Sequence, residues 1–433
     1  MKKIGIGLLG LGQIGGGLYE ILTTKRKQFE EQLGVSFEIA RIAEKYPNAR
    51  RKVRPPKSIM TTDAFEVVRD PSVDVVVELI GGTSFARTII MEALRERKHV
   101  VTANKALLAE HGDAIFELAH KMRRWICFEA SVGGGIPCIK GLREGLVANN
   151  IESVYAIING TTNYILTQMT ESGADFAQAL KGAQQKGYAE ADPTLDVEGI
   201  DAAHKLAILV RFAFGGRVNF GDIYSEGITR ISSDDIAFAK EFGYVIKLLA
   251  IAKKTKNGVE ARVQPTLLPK SHILANVNQS FNAVMLRGDE TGDVMFYGRG
   301  AGPHPTASAV IADLVDISKK DIDGPVDDET VIRALGSRIA IKSITSILSR
   351  YYLRFYVIDR PGVLAGIAKI LGKYKVSISD MIQRERRAGK VVPLILLTHE
   401  APEKDIRAAI RVIDRQSFVK GKAQVIRMEE AGT

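Results

Sequence analysis

GLLGLGQIGGG, residues 7–17, stands directly after the apolar run KIGIGLL (3–9) and directly before a helical pattern. It sets Gly10, Gly12 and Gly15 in G-x-G-x-x-G spacing. In that spacing the first glycine permits a tight turn, the second lets backbone approach a pyrophosphate, and the third allows close helix–strand contact. The helix N-terminus adds amide donors and a positive dipole. With a strand before it and a helix after it, the loop predicts a dinucleotide site, with Gln13 and Ile14 among the cofactor contacts.

After the loop a helix is expected over roughly 16–33, followed by apolar runs at SFEIARIA (36–43), VDVVVELI (73–80), KHVVTA (98–103) and WICFEA (125–130). Continuous rather than alternating apolarity marks strands buried on both faces, and their alternation with helical stretches predicts a wound parallel sheet over residues 1–130. From about 131 to 320 the pattern changes to glycine-rich loops, long helical stretches such as IDAAHKLAILVRFAF (200–214), and strand-like SVYAII (153–158) and ARVQPTLL (261–268). This region reads as an α/β substrate and dimerisation domain. Its last segment, with Val310, Leu314 and Ile317 at helical period, is expected to run back over 303–320 against the first domain. DIDGPVDDE opens a connector over 321–349. Residues 350–433 then give strand, helix, strand, strand, helix, strand, a small α+β sandwich.

A chain of 433 residues supports two or three cores. Its net charge of +10 is spread along the sequence with no nucleic-acid motif, so it points to phosphate-bearing small molecules and to no nucleic-acid partner. Cys127 and Cys138 do not make a disulfide framework or a metal-type pair. No window is apolar for long enough to span a membrane, and the glycines of the N-terminus are at phosphate-loop spacing rather than those of a signal peptide; a cytoplasmic location is expected. Glu44 ends the second strand, where an acid grips the ribose of NAD. Lys45, Arg50, Arg51, Lys52 and Arg54 follow it and suit the extra phosphate of NADP. NADP(H) is favoured, with NAD(H) as the alternative.

The stretch YAEADPTLDVEGIDAAHK (188–205) carries Tyr188, Asp192, Pro193, Asp196, Gly199, Asp201 and Lys205 in an order and spacing that resembles the signature of homoserine dehydrogenases. ANKALLAEHG (103–112), FEASVGGGIPCIKGLREGL (128–146) and IINGTTNYIL (157–166) are similar to further segments of that family, so the likeness covers roughly residues 3–320. DRPGVL (359–364) resembles the first strand-to-helix turn of an ACT domain. The resemblance implies reduction of L-aspartate 4-semialdehyde to L-homoserine with a nicotinamide cofactor, on the route to threonine, methionine and isoleucine. It implies a fold of Rossmann-type domain, α/β substrate domain and ACT-like regulatory domain.

Hydride arriving at an aldehyde leaves charge on oxygen, so a donor or cation must stand beside that oxygen. By resemblance that group is Lys205, with Asp201 one helical turn earlier to direct it, or Lys105, which ends VVTANK and also meets the cofactor. Glu190 and Asp196 are assigned to the substrate's ammonium group, with Tyr188, Gly160 and Thr161 lining the substrate. Thr83 and Gly302 join the cofactor contacts. Glu129 with the carbonyls of Val132, Gly134 and Ile136 matches a family site for a monovalent cation such as sodium. The ACT resemblance implies a homodimer or higher homo-oligomer with an amino-acid effector, threonine first. Two rivals remain at this level: aspartate-semialdehyde dehydrogenase, which needs an activated cysteine, and a catalytically silent amino-acid sensor.

Overall fold

The computed structural model describes residues 1–320, 329–383 and 389–430. It divides into two compact units, the first made of Met1–Val154, His204–Phe220 and Asn282–Ala340, the second of Tyr155–Ala203, Gly221–Phe281 and Ile341–Thr433.

The first unit is built on six strands: β1 (Lys2–Leu9), β2 (Val35–Ala43), β3 (Met60–Thr61), β4 (Val75–Glu78), β5 (His99–Thr102) and β6 (Ile126–Cys127). Their order is β3-β2-β1-β4-β5-β6, and every pairing is parallel. The chain therefore winds outward in both directions from β1, and the sheet's switch point lies between β1 and β4, where doubly wound folds bind ligands at the strands' carboxyl ends. Ile4, Ile6 and Leu8 of β1 and Val75 and Val77 of β4 are fully buried. Helix Pro303–Ser318 packs on this core through Ala307, Val310, Leu314 and Ile317, so a segment distant in sequence completes it.

The expected single helix over 16–33 is two, Gln13–Thr24 and Arg26–Leu33. The hydroxyls of Thr23 and Thr24 donate to the carbonyls of Tyr19 and Glu20, the back-bonding that bends helices, and the chain breaks at Lys25.

In the second unit, strands Tyr244–Thr255 and Gly258–Pro269 form an antiparallel hairpin. From Gly258–Pro269 the sheet continues through Gln424–Met428, Leu348–Ile358 and Val391–Thr398 to Ile378–Gln383. Thr266 pairs with Arg427 and Leu267 with Met428 in parallel. The C-terminal α+β element thus shares its sheet with the strands before it. Its helices Val363–Lys373 and Glu403–Ile413 cover a core that includes Leu353, Phe355, Ile367, Leu371, Ile406 and Ile413. Residues 321–328 of the expected connector lie outside the described residues; Glu329–Ala334 is helical. Among the described residues no helix is long and apolar enough to cross a membrane.

Candidate active site

The glycine loop leaves β1 at the switch point, and its three glycines meet different surroundings. Gly10 sits at φ +95°, and a Cβ there would stand 2.8 Å from the Leu79 carbonyl oxygen. At Gly15 a Cβ would fall 2.1 Å from the Gly10 carbonyl oxygen. Gly12 differs, because a Cβ there would meet no atom within 4 Å. Packing therefore explains Gly10 and Gly15 but not Gly12, which is exposed beside Gln13 at the helix start. Ile14 is half-buried on the next position. Beside the loop lies a cavity of about 590 Å³ whose lining includes Gly12, Gln13, Arg50, Arg51, Lys52 and His304. Lys45 lies 5.4 Å from the ring centroid of Tyr46, outside that lining.

Glu44 and Arg51 both grip the loop. The Glu44 carboxylate accepts from Leu11 N at 2.8 Å and Tyr46 N at 3.0 Å, and lies 3.0 Å from Arg51. Arg51 Nε donates to the Leu11 carbonyl at 2.9 Å, and a second nitrogen donates to Tyr46 O at 2.7 Å.

At the carboxyl ends of β4 and β5, buried Glu78 accepts from Ile80 N at 2.8 Å and from the Thr102 hydroxyl at 2.7 Å. Asn104 caps helix Lys105–Met122 by accepting from Leu107 N, and its amide donates to Gly82 O at 2.7 Å. Lys105 is thereby the first residue of a helix whose entry is tied to the preceding loop. Thr83 stands half-buried at the start of helix Ser84–Arg95, and Gly302 at the start of Pro303–Ser318.

In the second unit buried Asn159 caps helix Gly160–Ser172. Its side-chain oxygen accepts from Thr162 N at 2.8 Å and the Thr162 hydroxyl at 2.9 Å. Its amide donates to Asp196 at 2.7 Å and to Asp201 at 2.9 Å. The hydroxyl of Thr161 donates to Tyr188 O at 2.6 Å, and the Tyr188 ring lies 5.1 Å from that of Tyr164. Glu190 is exposed. Asp201 and Lys205, both 9% exposed, are one turn apart on helix Ile200–Phe214, so they share a face.

Glu129 is 4% exposed and accepts from Ile139 N at 2.9 Å and Lys140 N at 2.7 Å; burial pushes its carboxyl up to about 7 against the pull of those amides. Val132, Gly134 and Ile136 are buried on the loop that follows. The Cys138 thiol donates to Val132 O at 3.4 Å, and burial, then the nearby Glu129, raises its pKa. Such a thiol is no nucleophile. Among the described residues no three His, Cys, Asp or Glu side chains group as metal ligands.

Two family models named for homoserine dehydrogenase match the chain, one over residues 137–315 and its NAD-binding domain over 10–129; an ACT domain model matches 351–415. Homoserine dehydrogenase of Neisseria gonorrhoeae is 45% identical over 437 residues, covering 99% of both chains. The chain belongs to the homoserine dehydrogenase family. The crystal structure of the Thiobacillus denitrificans homoserine dehydrogenase superposes with a TM-score of 0.91 at 44% identity, covering 100% of this chain and 99% of that one. A hyperthermophilic archaeal homoserine dehydrogenase in complex with NADPH superposes at 0.62 with 26% identity, over 74% of this chain and 98% of that one. A homoserine dehydrogenase is an oxidoreductase of amino-acid biosynthesis that interconverts L-aspartate 4-semialdehyde and L-homoserine with a nicotinamide cofactor. The thiol-dependent and silent-sensor readings give way to it.

Residue patterns alone did not single out Asn159, Glu78 or the part Arg51 plays. Asn159 had a signal: an Asn directly before the helical GTTNYIL is a capping residue. The reach of its amide to two carboxylates exists only in the fold.

Proposed function

We propose that this homoserine dehydrogenase reduces its aldehyde with Lys205 as the group that protonates the nascent alkoxide, and that Asp201 directs Lys205. The reading rests on the shared face of Asp201 and Lys205, with Asp201 anchored by Asn159 at 2.9 Å. Hydride from the reduced nicotinamide adds to the carbonyl carbon, the C=O π pair moves to oxygen, and that oxygen takes a proton from the lysine ammonium. Lys105 supplies a second cation and contacts the cofactor. Asp196 and Glu190 receive the substrate ammonium, while Tyr188, Gly160 and Thr161 wall the substrate.

The cofactor lies against Gly10, Gly12, Gln13, Ile14 and Gly15, with Thr83 and Gly302 beside it, and NADP(H) is the preferred form. The open space at Gly12 suits a backbone approached by phosphate, and Arg50 and Lys52 bring cations to the adjacent cavity. Bound NADPH supplies the hydride.

Glu129 and the carbonyls of Val132, Gly134 and Ile136 fit a hard monovalent cation such as sodium. The set is all oxygen, and a buried carboxylate pushed up to about 7 gains a counter-charge. A cation bound there would offset the charge of buried Glu129, with Val132, Gly134 and Ile136 holding it through their carbonyls. The ACT domain takes an amino-acid effector, threonine, near Asp359–Leu364, where the cavity is about 320 Å³, and the protein acts as a homodimer or larger homo-oligomer.

Oxidation of NADPH and of NADH by the purified protein with aspartate semialdehyde, with and without threonine, tests the reading. Homoserine formation faster with NADPH and slowed by threonine is expected. Equal rates with both cofactors would remove the NADP preference, and indifference to threonine would remove the effector.

A further inference from the structure

Asn159 is the buried residue on which two of the signature carboxylates, Asp196 and Asp201, converge. A side-chain amide has two N–H donors and one acceptor oxygen, and here all are engaged. The oxygen must face Thr162, whose backbone N–H needs an acceptor at the start of helix Gly160–Ser172. This fixes the amide's orientation, because the flipped form would set oxygen against two carboxylates and NH₂ against an N–H. The NH₂ group is thereby aimed at Asp196 Oδ1 at 2.7 Å and Asp201 Oδ2 at 2.9 Å.

These acids belong to different elements. Asp196 lies in the short helix Thr194–Val197, Asp201 in the first turn of Ile200–Phe214, and Gly199 between them sits at φ +78°. Two carboxylates converging on one point repel each other, and a donor shared between them offsets that repulsion and fixes the direction of both. We propose that Asn159 is a positioning residue for the reaction. Its helix cap orients the amide, and the amide holds Asp196 for the substrate ammonium and Asp201 for Lys205. This rests on the roles given above to Asp196 and Asp201.

Asn159→Ser and Asn159→Asp separate the two jobs, because Ser and Asp cap a helix as well as Asn but neither presents two N–H donors. Asn159→Ser should keep a Tm nearer to wild type than Asn159→Asp, which sets a third carboxylate beside Asp196 and Asp201 in a buried cluster. Each should lose on the order of 10- to 100-fold in kcat/KM for aspartate semialdehyde, the usual scale for a lost hydrogen bond to a charged group. The loss should appear in KM for the aldehyde and in kcat, with KM for NADPH unchanged, and Asp should be worse than Ser because it adds a third carboxylate. A cap-only role predicts kinetics within threefold of wild type in whichever of the two folds, and that result would overturn the proposal. Asp196→Asn and Asp201→Asn complete the set. If they are impaired while the Asn159 variants are not, only the positioning role fails; if they too keep wild-type kinetics, the assignment of the carboxylates fails instead.

Discussion

Arg51 lies 3.0 Å from Glu44, and both are fastened to Leu11, the acid through its backbone N–H and the guanidinium through its carbonyl. The ion pair is therefore a strut for the glycine loop. Arg50 and Lys52 are exposed and line the same cavity. Arg51→Ala should raise KM for NADPH and NADH alike, whereas the Arg50→Ala/Lys52→Ala double variant should raise KM for NADPH by ~10-fold with little change for NADH, the scale of a lost charge-assisted contact. Initial rates against each cofactor decide it; discrimination that follows Arg51 instead would reassign the strut.

Gly12 and Gly15 should respond differently to a methyl group. Gly15→Ala forces a Cβ to within 2.1 Å of the Gly10 carbonyl oxygen, so the loop must shift, at a cost of ~1–3 kcal/mol. A lower Tm is expected. Gly12→Ala meets no protein atom, so its Tm should match wild type while NADPH binding, followed by fluorescence titration, weakens. Equal effects on Tm would refute the distinction.

Lys247 is 1% exposed and donates to Val277 O at 2.6 Å, Asn278 at 3.0 Å and Asn163 at 3.2 Å, all neutral acceptors. Burial lowers its pKa from 10.5 to about 8. The unfolded chain then binds more protons between these two values, so this group's penalty is full below about pH 8 and is relieved as pH rises towards 10.5. The relief is at most about 3 kcal/mol. The Tm of wild type relative to Lys247→Met should increase from pH 7.5 to pH 9.5; a constant difference would contradict this.

The C-terminal module is joined to its neighbours by charge as well as by sheet. Arg262, 1% exposed, meets Glu429 at 2.6 Å and Glu260 at 2.7 Å, and Arg427 meets Glu226 at 2.6 Å and Glu403 at 2.5 Å. Glu429→Ala leaves a buried guanidinium with one carboxylate fewer, and a loss of about 3 kcal/mol is expected, read as a fall in Tm of several degrees. Truncation after residue 345 also strips a strand from Gly258–Pro269, so a truncated enzyme as stable as the full chain would show that this junction carries little.

Much of this fold was legible because its signals are local. Gly10, Gly12 and Gly15 lie within six positions, the β1, β4 and β5 runs are continuously apolar, and the ACT element order follows from turns such as Asp359–Gly362. The break at Lys25 was hidden because threonine back-bonding depends on which hydroxyls find a carbonyl. The short strand Met60–Thr61 was hidden because two residues carry no period. In the site, Asp201 and Lys205 could be placed together because four residues is one helical turn. Asn159 lies 42 positions from Asp201, a contact that only tertiary packing creates.

The most direct test of the account is the turnover of Lys205→Ala with aspartate semialdehyde and NADPH. A general acid contributes at least ~10²-fold, so kcat should fall by that factor while NADPH affinity stays near wild type. Turnover within about threefold of wild type would contradict the assignment and pass the proton-donor role to Lys105.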